Sequence, residues 1–145
     1  MSERALITDI RDEVKQVREY SSVWPDRPRV YFEEWPDPMI AGIRWVSELI
    51  EIAGGQDVFA ELRGKGAARD RGVDADEVRR RDPEIILASW CGKPVDKSAI
   101  AARPCWADMT AVRRGQVHEL DGAEDWAEAS SRVAALNDTA RARMR

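Results

Sequence analysis

The sequence predicts an α/β fold in which a parallel sheet is flanked by helices on both faces. Three observations support this fold class. Strand-like and helix-like segments alternate along the 145 residues. Residues 84–88 contain an uninterrupted apolar run, which is typical of a strand buried on both faces of a parallel sheet. Both ends of the chain carry apolar residues at helical spacing, which predicts an N-terminal and a C-terminal helix.

The chain is predicted to open with a helix that lies against another part of the molecule. Residues 3–20 place four apolar side chains on one helical stripe, with charged residues elsewhere. Trp24-Pro25 ends this helix, because proline disfavours helical geometry in the residue before it. Residues 29–33 are then typical of a strand.

A second helix is predicted directly after this strand. Asp37-Pro38 has the pattern of a helix N-terminus, with an aspartate cap and proline at the first helical position. Gly54-Gly55 ends the helix, because glycine readily adopts the left-handed conformation. The apolar residues at helical spacing between these two signals are Trp45, Val46, Leu49, Ile50 and Ala53, with Gly42 before them.

The middle of the chain is predicted to be irregular up to a short helix. Residues 56–72 show neither the helical nor the strand spacing of apolar residues. Val58, Phe59 and Leu62 are expected to anchor this segment by packing. Asp74 and Glu77 then have capping-box spacing.

The short helix ends at Asp82-Pro83, and the buried strand over residues 84–88 follows it. After a loop over residues 89–94, a short helix begins near Asp96 and ends before Arg103. The remaining predicted elements are a helical turn at 109–114, a third strand at 116–120 and a tail helix with Trp126, Ala129, Val133, Leu136 and Ala140 on one face.

Composition excludes several classes of function. The net charge is −4 with acids and bases interspersed, which disfavours nucleic acid as a partner. Arg79, Arg80 and Arg81 lie among acids and are expected on a solvated helix face. No apolar run reaches the roughly 20 residues that span a bilayer. The charged N-terminus lacks the apolar region of a secretory signal, so the chain as written is expected in the cytoplasm.

Catalytic and metal-binding patterns are also lacking. The sequence holds two cysteines and one histidine, with no zinc spacing and no local serine–histidine–aspartate set. His118 is expected to be a structural or surface residue rather than a metal ligand. Cys91 lies in a loop between a strand and a helix, as in cysteine-dependent phosphatases, but Lys97 stands where such a loop needs arginine and Pro94 removes an N–H donor. We therefore expect no catalytic residue, and a phosphatase-like enzyme is a minor alternative.

Tryptophans at two strand ends predict a ligand-binding edge. Open parallel sheets bind ligands beyond the carboxyl ends of their strands. Trp35 follows the first strand and Trp90 follows the buried strand, and each indole offers a flat apolar face that suits a large planar ligand. The alternative is that each tryptophan plugs the end of its own core.

Three segments of the chain closely resemble cobalamin-binding proteins of the ABC-transporter substrate-binding class, in the vitamin B12 and iron-siderophore binding superfamily. The resemblance covers roughly residues 27–120. The segments are RPRVYFEEWPDPMIAGIRWVSELIEIAGG (27–55), DPEIILASWCGKP (82–94) and IAARPCWADMTAVRRGQVHEL (100–120).

The resemblance implies a single Rossmann-like lobe of a two-lobed, non-enzymatic binding protein. Members hold a corrinoid between two lobes joined by a long helix and deliver it to a membrane permease; they need no cofactor and are extracytoplasmic. Residues 1–24 are expected to correspond to the later part of the linking helix, and residues 25–145 to the C-terminal lobe. The N-terminal lobe would come from a separate chain or be replaced in a homodimer.

Site residues follow from the resemblance by position. Trp35, Pro36, Asp37 and Met39 correspond to the family's ligand-facing loop, and Trp90, Cys91 and Gly92 to a second cleft loop. Asp76, beside Glu77, stands near the surface acid with which relatives engage permease arginines; its alternative is ordinary acidity at a helix start.

Two departures from the family pattern support an alternative function. Residues 69–71 lack an aromatic that some relatives have, and the tail from Gly122 lacks the usual proline-containing loop. The alternative is a truncated interaction domain that binds no ligand independently, because one lobe offers only half a cleft.

Overall fold

The computed structural model describes residues 3–120 and 126–143, and the side chains of residues 11–120 and 128–142. Within these residues, no helix is long and apolar enough to cross a membrane. The strands are β1 (Arg29–Pro36), β2 (Met39–Ala41), β3 (Gln56–Asp57), β4 (Ile85–Ala88) and β5 (Val117–Glu119). The helices are α1 (Glu3–Ser22), α2 (Arg44–Ile52), α3 (Ala75–Arg81), α4 (Lys97–Ala101), α5 (Thr110–Arg113) and α6 (Trp126–Arg143).

The sheet is mostly parallel, which confirms the predicted fold class. Its order is β2-β1-β4-β5, and β3 pairs with the start of β1. Strands β3, β4 and β5 all run parallel to their neighbours, whereas β2 is antiparallel to β1. The carboxyl ends of β1, β4 and β5 therefore lie at one edge of the sheet.

Two apolar layers cover the sheet, one on each face. Strand β4 supplies Ile85 and Leu87 to the first layer and Ile86 and Ala88 to the second, and all four are fully buried. Its uninterrupted apolar run is thus explained, since alternate side chains enter opposite cores. Helices α1, α2 and α6 pack in the first layer, and α3, α4 and α5 in the second.

Helix α1 packs against α6. Val14 and Val17 are buried, and the Tyr20 hydroxyl donates to Asp138 at 3.0 Å. The described part of the apolar stripe of α1 is therefore covered within this chain, and the side chains of Leu6 and Ile10 lie outside the described residues. The predicted division between residues 1–24 and 25–145 stays a prediction, and the side chain of Trp126 lies outside the described residues.

The predicted helix N-terminus at Asp37-Pro38 is wrong. These two residues form the tip of a hairpin between β1 and β2, and α2 begins only at Arg44 without a side-chain cap. A tight turn and the first turn of a helix both tolerate the missing N–H of proline, so the local pattern suited either structure.

The capping box at Asp74 and Glu77 is half right. The Asp74 carboxylate caps α3 by accepting from the Asp76 N–H at 3.1 Å. Glu77 does not reach back, because its carboxylate accepts from Arg80 and Arg81 on the next turn.

Replacement of Gly54 by alanine tests the closure of the first layer. Gly54 follows α2 with φ of +89°, and a Cβ there would lie 2.3 Å from the Trp24 ring. We expect Gly54→Ala to reduce the free energy of unfolding by about 2–4 kcal/mol through backbone strain and displaced packing. The control is Gly66→Ala, where a Cβ meets nothing within 4 Å. Urea titrations giving equal stabilities for the two variants would contradict this account.

Candidate functional site

The structure brings together the two loops that the strand-end tryptophans single out. Because β1 and β4 are parallel neighbours, the hairpin tip and the loop after β4 lie at the same edge. The Lys93 ammonium lies 5.9 Å from the centre of the Trp35 ring and 5.7 Å from that of Trp90. The Cys91 thiol lies 3.7 Å from the Glu34 carbonyl oxygen. We call this surface the ligand edge; its residues are Trp35, Pro36, Asp37, Met39, Trp90, Cys91, Gly92 and Lys93.

The hairpin side of the ligand edge is partly accessible. Trp35 and Met39 are half-buried and pack against the second apolar layer, while Asp37 is exposed. The Trp35 indole N–H donates to the Asp37 carbonyl oxygen at 3.2 Å, which fixes the ring over the turn. Trp35 therefore presents part of a flat aromatic surface without needing a ligand to order it.

Trp90 is placed differently. Its side chain is buried, and its indole N–H donates to the Glu33 carboxylate at 3.0 Å. The N–H is therefore already used within the protein. For Trp90, burial favours the plug alternative, and the residue supports the loop from below more than it faces solvent.

Glu33 is the centre of a buried polar network beneath the ligand edge. Its carboxylate is fully buried and accepts from Arg103 through two bonds of 2.6 and 2.9 Å. The Tyr31 hydroxyl also donates to it, at 2.9 Å. Burial, and then the Glu33 charge, raise the pKa of Tyr31 well above its ordinary value, so the phenol remains a donor. The guanidinium of Arg103 lies 4.8 Å from the centre of the Trp106 ring.

The sequence patterns did not predict this network, nor the contacts that a second buried arginine, Arg71, makes with the hairpin. Arg103 was expected only to follow a helix end. Arg71 is buried, and its guanidinium donates to the Ala41 carbonyl oxygen at 2.6 Å and to the Glu34 carboxylate at 3.2 Å. Arg71 thus contacts the hairpin from the 69–71 segment, in which some relatives have an aromatic residue. The available signal was Glu33, a charged residue that directly follows the aromatic pair Tyr31-Phe32 in a predicted strand.

The turn after β4 is tight and does not form a phosphate cradle. Cys91 and Gly92 have φ values of +33° and +84°, and the Lys93 N–H closes the turn on the Trp90 carbonyl oxygen at 2.6 Å. Asp96 caps α4 by accepting from the Ala99 N–H, which places a carboxylate at the helix start where an anion would bind. Cys91 is an exposed free thiol.

The two acids that the resemblance places near the permease contact, Asp76 and Glu77, differ in availability. Hydrogen bonds from Arg81 and then Arg80 lower the pKa of Glu77, so that carboxylate is already paired. Asp76 is exposed on the first turn of α3. The Val73 N–H donates to the Met39 carbonyl oxygen at 3.0 Å, which places the start of α3 beside the hairpin.

His118 has no set of metal co-ligands among the described side chains. Its imidazole is half-buried on β5, with Nε2 3.0 Å from the Gln116 side-chain oxygen. Within the residues that the structure describes, no group of three or more histidine, cysteine, aspartate or glutamate side chains could hold a metal ion.

A model of the periplasmic binding protein family matches residues 3–124. The chain belongs to this family. Its members are solute-binding proteins rather than enzymes, and they hold a transported ligand rather than a cofactor. The family assignment thus confirms the resemblance at the level of the binding-protein family, together with the non-enzymatic prediction. No curated protein sequence matches the chain significantly.

Solved structures of binding proteins share the fold. The periplasmic vitamin B12 binding protein BtuF of Vibrio cholerae is 22% identical with a TM-score of 0.66, covering 92% of this chain and 52% of that one. An ABC transporter substrate-binding protein from Listeria monocytogenes EGD-e is 18% identical with a TM-score of 0.72, covering 92% and 56%. The periplasmic haem-binding protein RhuT from Roseiflexus sp. RS-1 is 20% identical with a TM-score of 0.69, covering 96% and 54%. The chain therefore spans about half the length of these relatives.

We expect Glu33→Gln, which replaces one carboxylate oxygen by an amide nitrogen, to cause a large loss of stability. Glu33→Gln places an amide among four donors and leaves the Arg103 charge without its carboxylate, so we expect a loss of about 3 kcal/mol in the free energy of unfolding. The control is Glu51→Gln, which breaks the half-exposed ion pair with Arg63 and should cost less than about 1 kcal/mol. Urea titrations at pH 7 compare the two; equal losses would show that Glu33 is not the central acceptor.

We expect the stability of the fold to depend on pH through His118. Burial, then Lys97 and Arg132, lower the pKa of His118 below its ordinary value of 6.5. The charged imidazole is disfavoured in the folded chain, so this contribution to stability is complete above pH 6.5 and is lost as the pH falls through the folded-state pKa.

Proton NMR titration of His118 measures this directly, since it is the single histidine of the chain. We expect a pKa below 6.5, which rises in Lys97→Met and is unchanged in the distant control Lys65→Met. A value of 6.5 or more in the parent chain would contradict the prediction.

Proposed function

We propose that the chain is one lobe of the substrate-binding component of an ABC-type uptake system, and that its ligand is cobalamin or a related corrinoid. The observation that carries the proposal is the meeting of the hairpin tip and the Trp90 turn at the ligand edge, around Trp35 and Lys93. A site of this kind lies where open α/β sheets bind their ligands.

A large planar ligand suits this edge. Trp35 offers a partly exposed aromatic surface, and Met39 adds an adaptable apolar one beside it. Relatives of the same fold include one named for vitamin B12 and one named for haem, and both ligands are large flat macrocycles. The preference for a corrinoid rests on the sequence resemblance of the segments around EEWPDPMI and ASWCGKP.

One lobe provides one wall of a cleft. Relatives are about twice as long, so the opposite wall would come from a separate N-terminal lobe or from a second copy of this chain. A ligand held on one wall leaves much of its surface in water, and we expect the isolated chain to bind weakly. The remnant domain without its own ligand stays the second candidate, favoured by the use of the Trp90 indole N–H inside the protein.

The permease would be engaged from the start of α3. Asp76 is exposed there and lies on the same side as the hairpin, whereas Glu77 is paired with two arginines of its own helix. An exposed carboxylate can form a charge-assisted contact with an arginine of a partner, and salt weakens such a contact.

Equilibrium dialysis of the chain against cyanocobalamin tests the proposal. We expect saturable binding that Trp35→Ala weakens by roughly three- to tenfold, because stacking on an aromatic ring is worth about 0.5–1.5 kcal/mol. The control is Trp24→Ala, which removes an equally half-buried tryptophan that packs on Gly54 at the opposite edge of the sheet. Circular dichroism of both variants verifies folding.

Two results would count against the proposal. No saturable binding up to millimolar cyanocobalamin would favour the remnant domain. Equal weakening by Trp24→Ala and Trp35→Ala would show that binding occurs elsewhere.

A further inference from the structure

Lys93 holds a positive charge at a defined place on the ligand edge. Its ammonium lies within 6 Å of the centres of two tryptophan rings, Trp35 and Trp90. The faces of aromatic rings carry negative potential and attract a cation at this distance. The closed turn over residues 90–93 fixes the backbone from which the side chain extends.

Among the side chains that the structure describes, no fixed acid neutralises this charge. Within the described part of the chain, Lys93 has no ion-pair partner. Asp37, the acid within the ligand edge, is exposed and makes no ion pair among the described residues. The acids beside the loop each have another donor: Glu34 accepts from Arg71, Glu119 from the Val95 N–H, and Asp96 from the Ala99 N–H.

We propose that Lys93 is a specificity-determining residue, which selects macrocyclic ligands that carry a peripheral carboxylate or phosphate group. This inference rests on the proposed function, since the ligand must lie at this edge. A flat ligand against Trp35 brings its rim towards the Lys93 ammonium. A rim anion then gains a charge-assisted contact that an uncharged ligand of the same shape lacks.

Two matched ligand pairs test the selection. Haemin carries two carboxylates, which its dimethyl ester lacks. Cyanocobalamin carries a phosphodiester, which dicyanocobinamide lacks together with the attached ribosyl-benzimidazole, so the Lys93 variants are needed to isolate the charge in this pair. Equilibrium dialysis of the full chain against all four ligands measures the preference for the member of each pair that carries the anionic group. We expect this preference to be roughly fivefold for at least one pair, and the pair that shows it identifies the source of the anion.

The variants separate charge from packing. Lys93→Met keeps an apolar chain of similar length, so the anionic preference should disappear through a loss of affinity that is larger for the anionic ligand than for the neutral one. Lys93→Arg should keep the preference, and so should the control Lys97→Met, which removes a nearby exposed lysine of α4. Added salt should reduce the preference in the parent chain.

Each outcome bears on one proposal or on both. A preference that survives in Lys93→Met, or its absence from the parent chain while ligands bind, overturns the role of Lys93 and leaves the proposed function standing. Binding of none of the four ligands by the parent chain overturns both.

Discussion

The candidate site depends on one buried carboxylate, that of Glu33. A carboxylate and a guanidinium removed from water each lose several kcal/mol of hydration, which is offset only where every donor and acceptor is satisfied. Glu33 meets this condition through two bonds from Arg103 and one each from Tyr31 and Trp90. The geometry therefore leaves the carboxylate few alternative positions.

This network ties together three segments that lie far apart in the sequence: β1, the turn after β4 and the chain after α4. Arg103 reaches Glu33 from the second apolar layer, while Trp90 reaches it from the loop above. The position of the Trp90 ring, and through it that of Lys93, is set before any ligand arrives. Such preorganisation lowers the entropy that binding must remove. An apolar residue at position 33 could fill the space but could not orient the indole.

The alternation of strands and helices was predictable because it depends on local periodicity, and β4 shows this best, with its apolar residues divided between two cores. The hairpin was not, because Asp37-Pro38 suits a turn as well as a helix start. The network was not predictable either, since Glu33 and Arg103 are 70 residues apart and no local pattern pairs them. The ligand edge falls between these cases: the strand ends gave its location, whereas the inward role of Trp90 required the fold.

The fold and the ligand edge depend differently on the half of the relatives' length that this chain does not span. Helices α1 and α6 cover the first layer from within this chain, and Asn137 of α6 donates to the carbonyl oxygen of Ala53 at the end of α2 at 2.9 Å. The described side chains of the first layer are therefore buried without another lobe. The ligand edge, in contrast, ends in half-buried and exposed side chains such as Trp35, Asp37 and Lys93, which face outward from the strand ends. Stability should thus be a property of the single lobe, while affinity depends on what covers this edge.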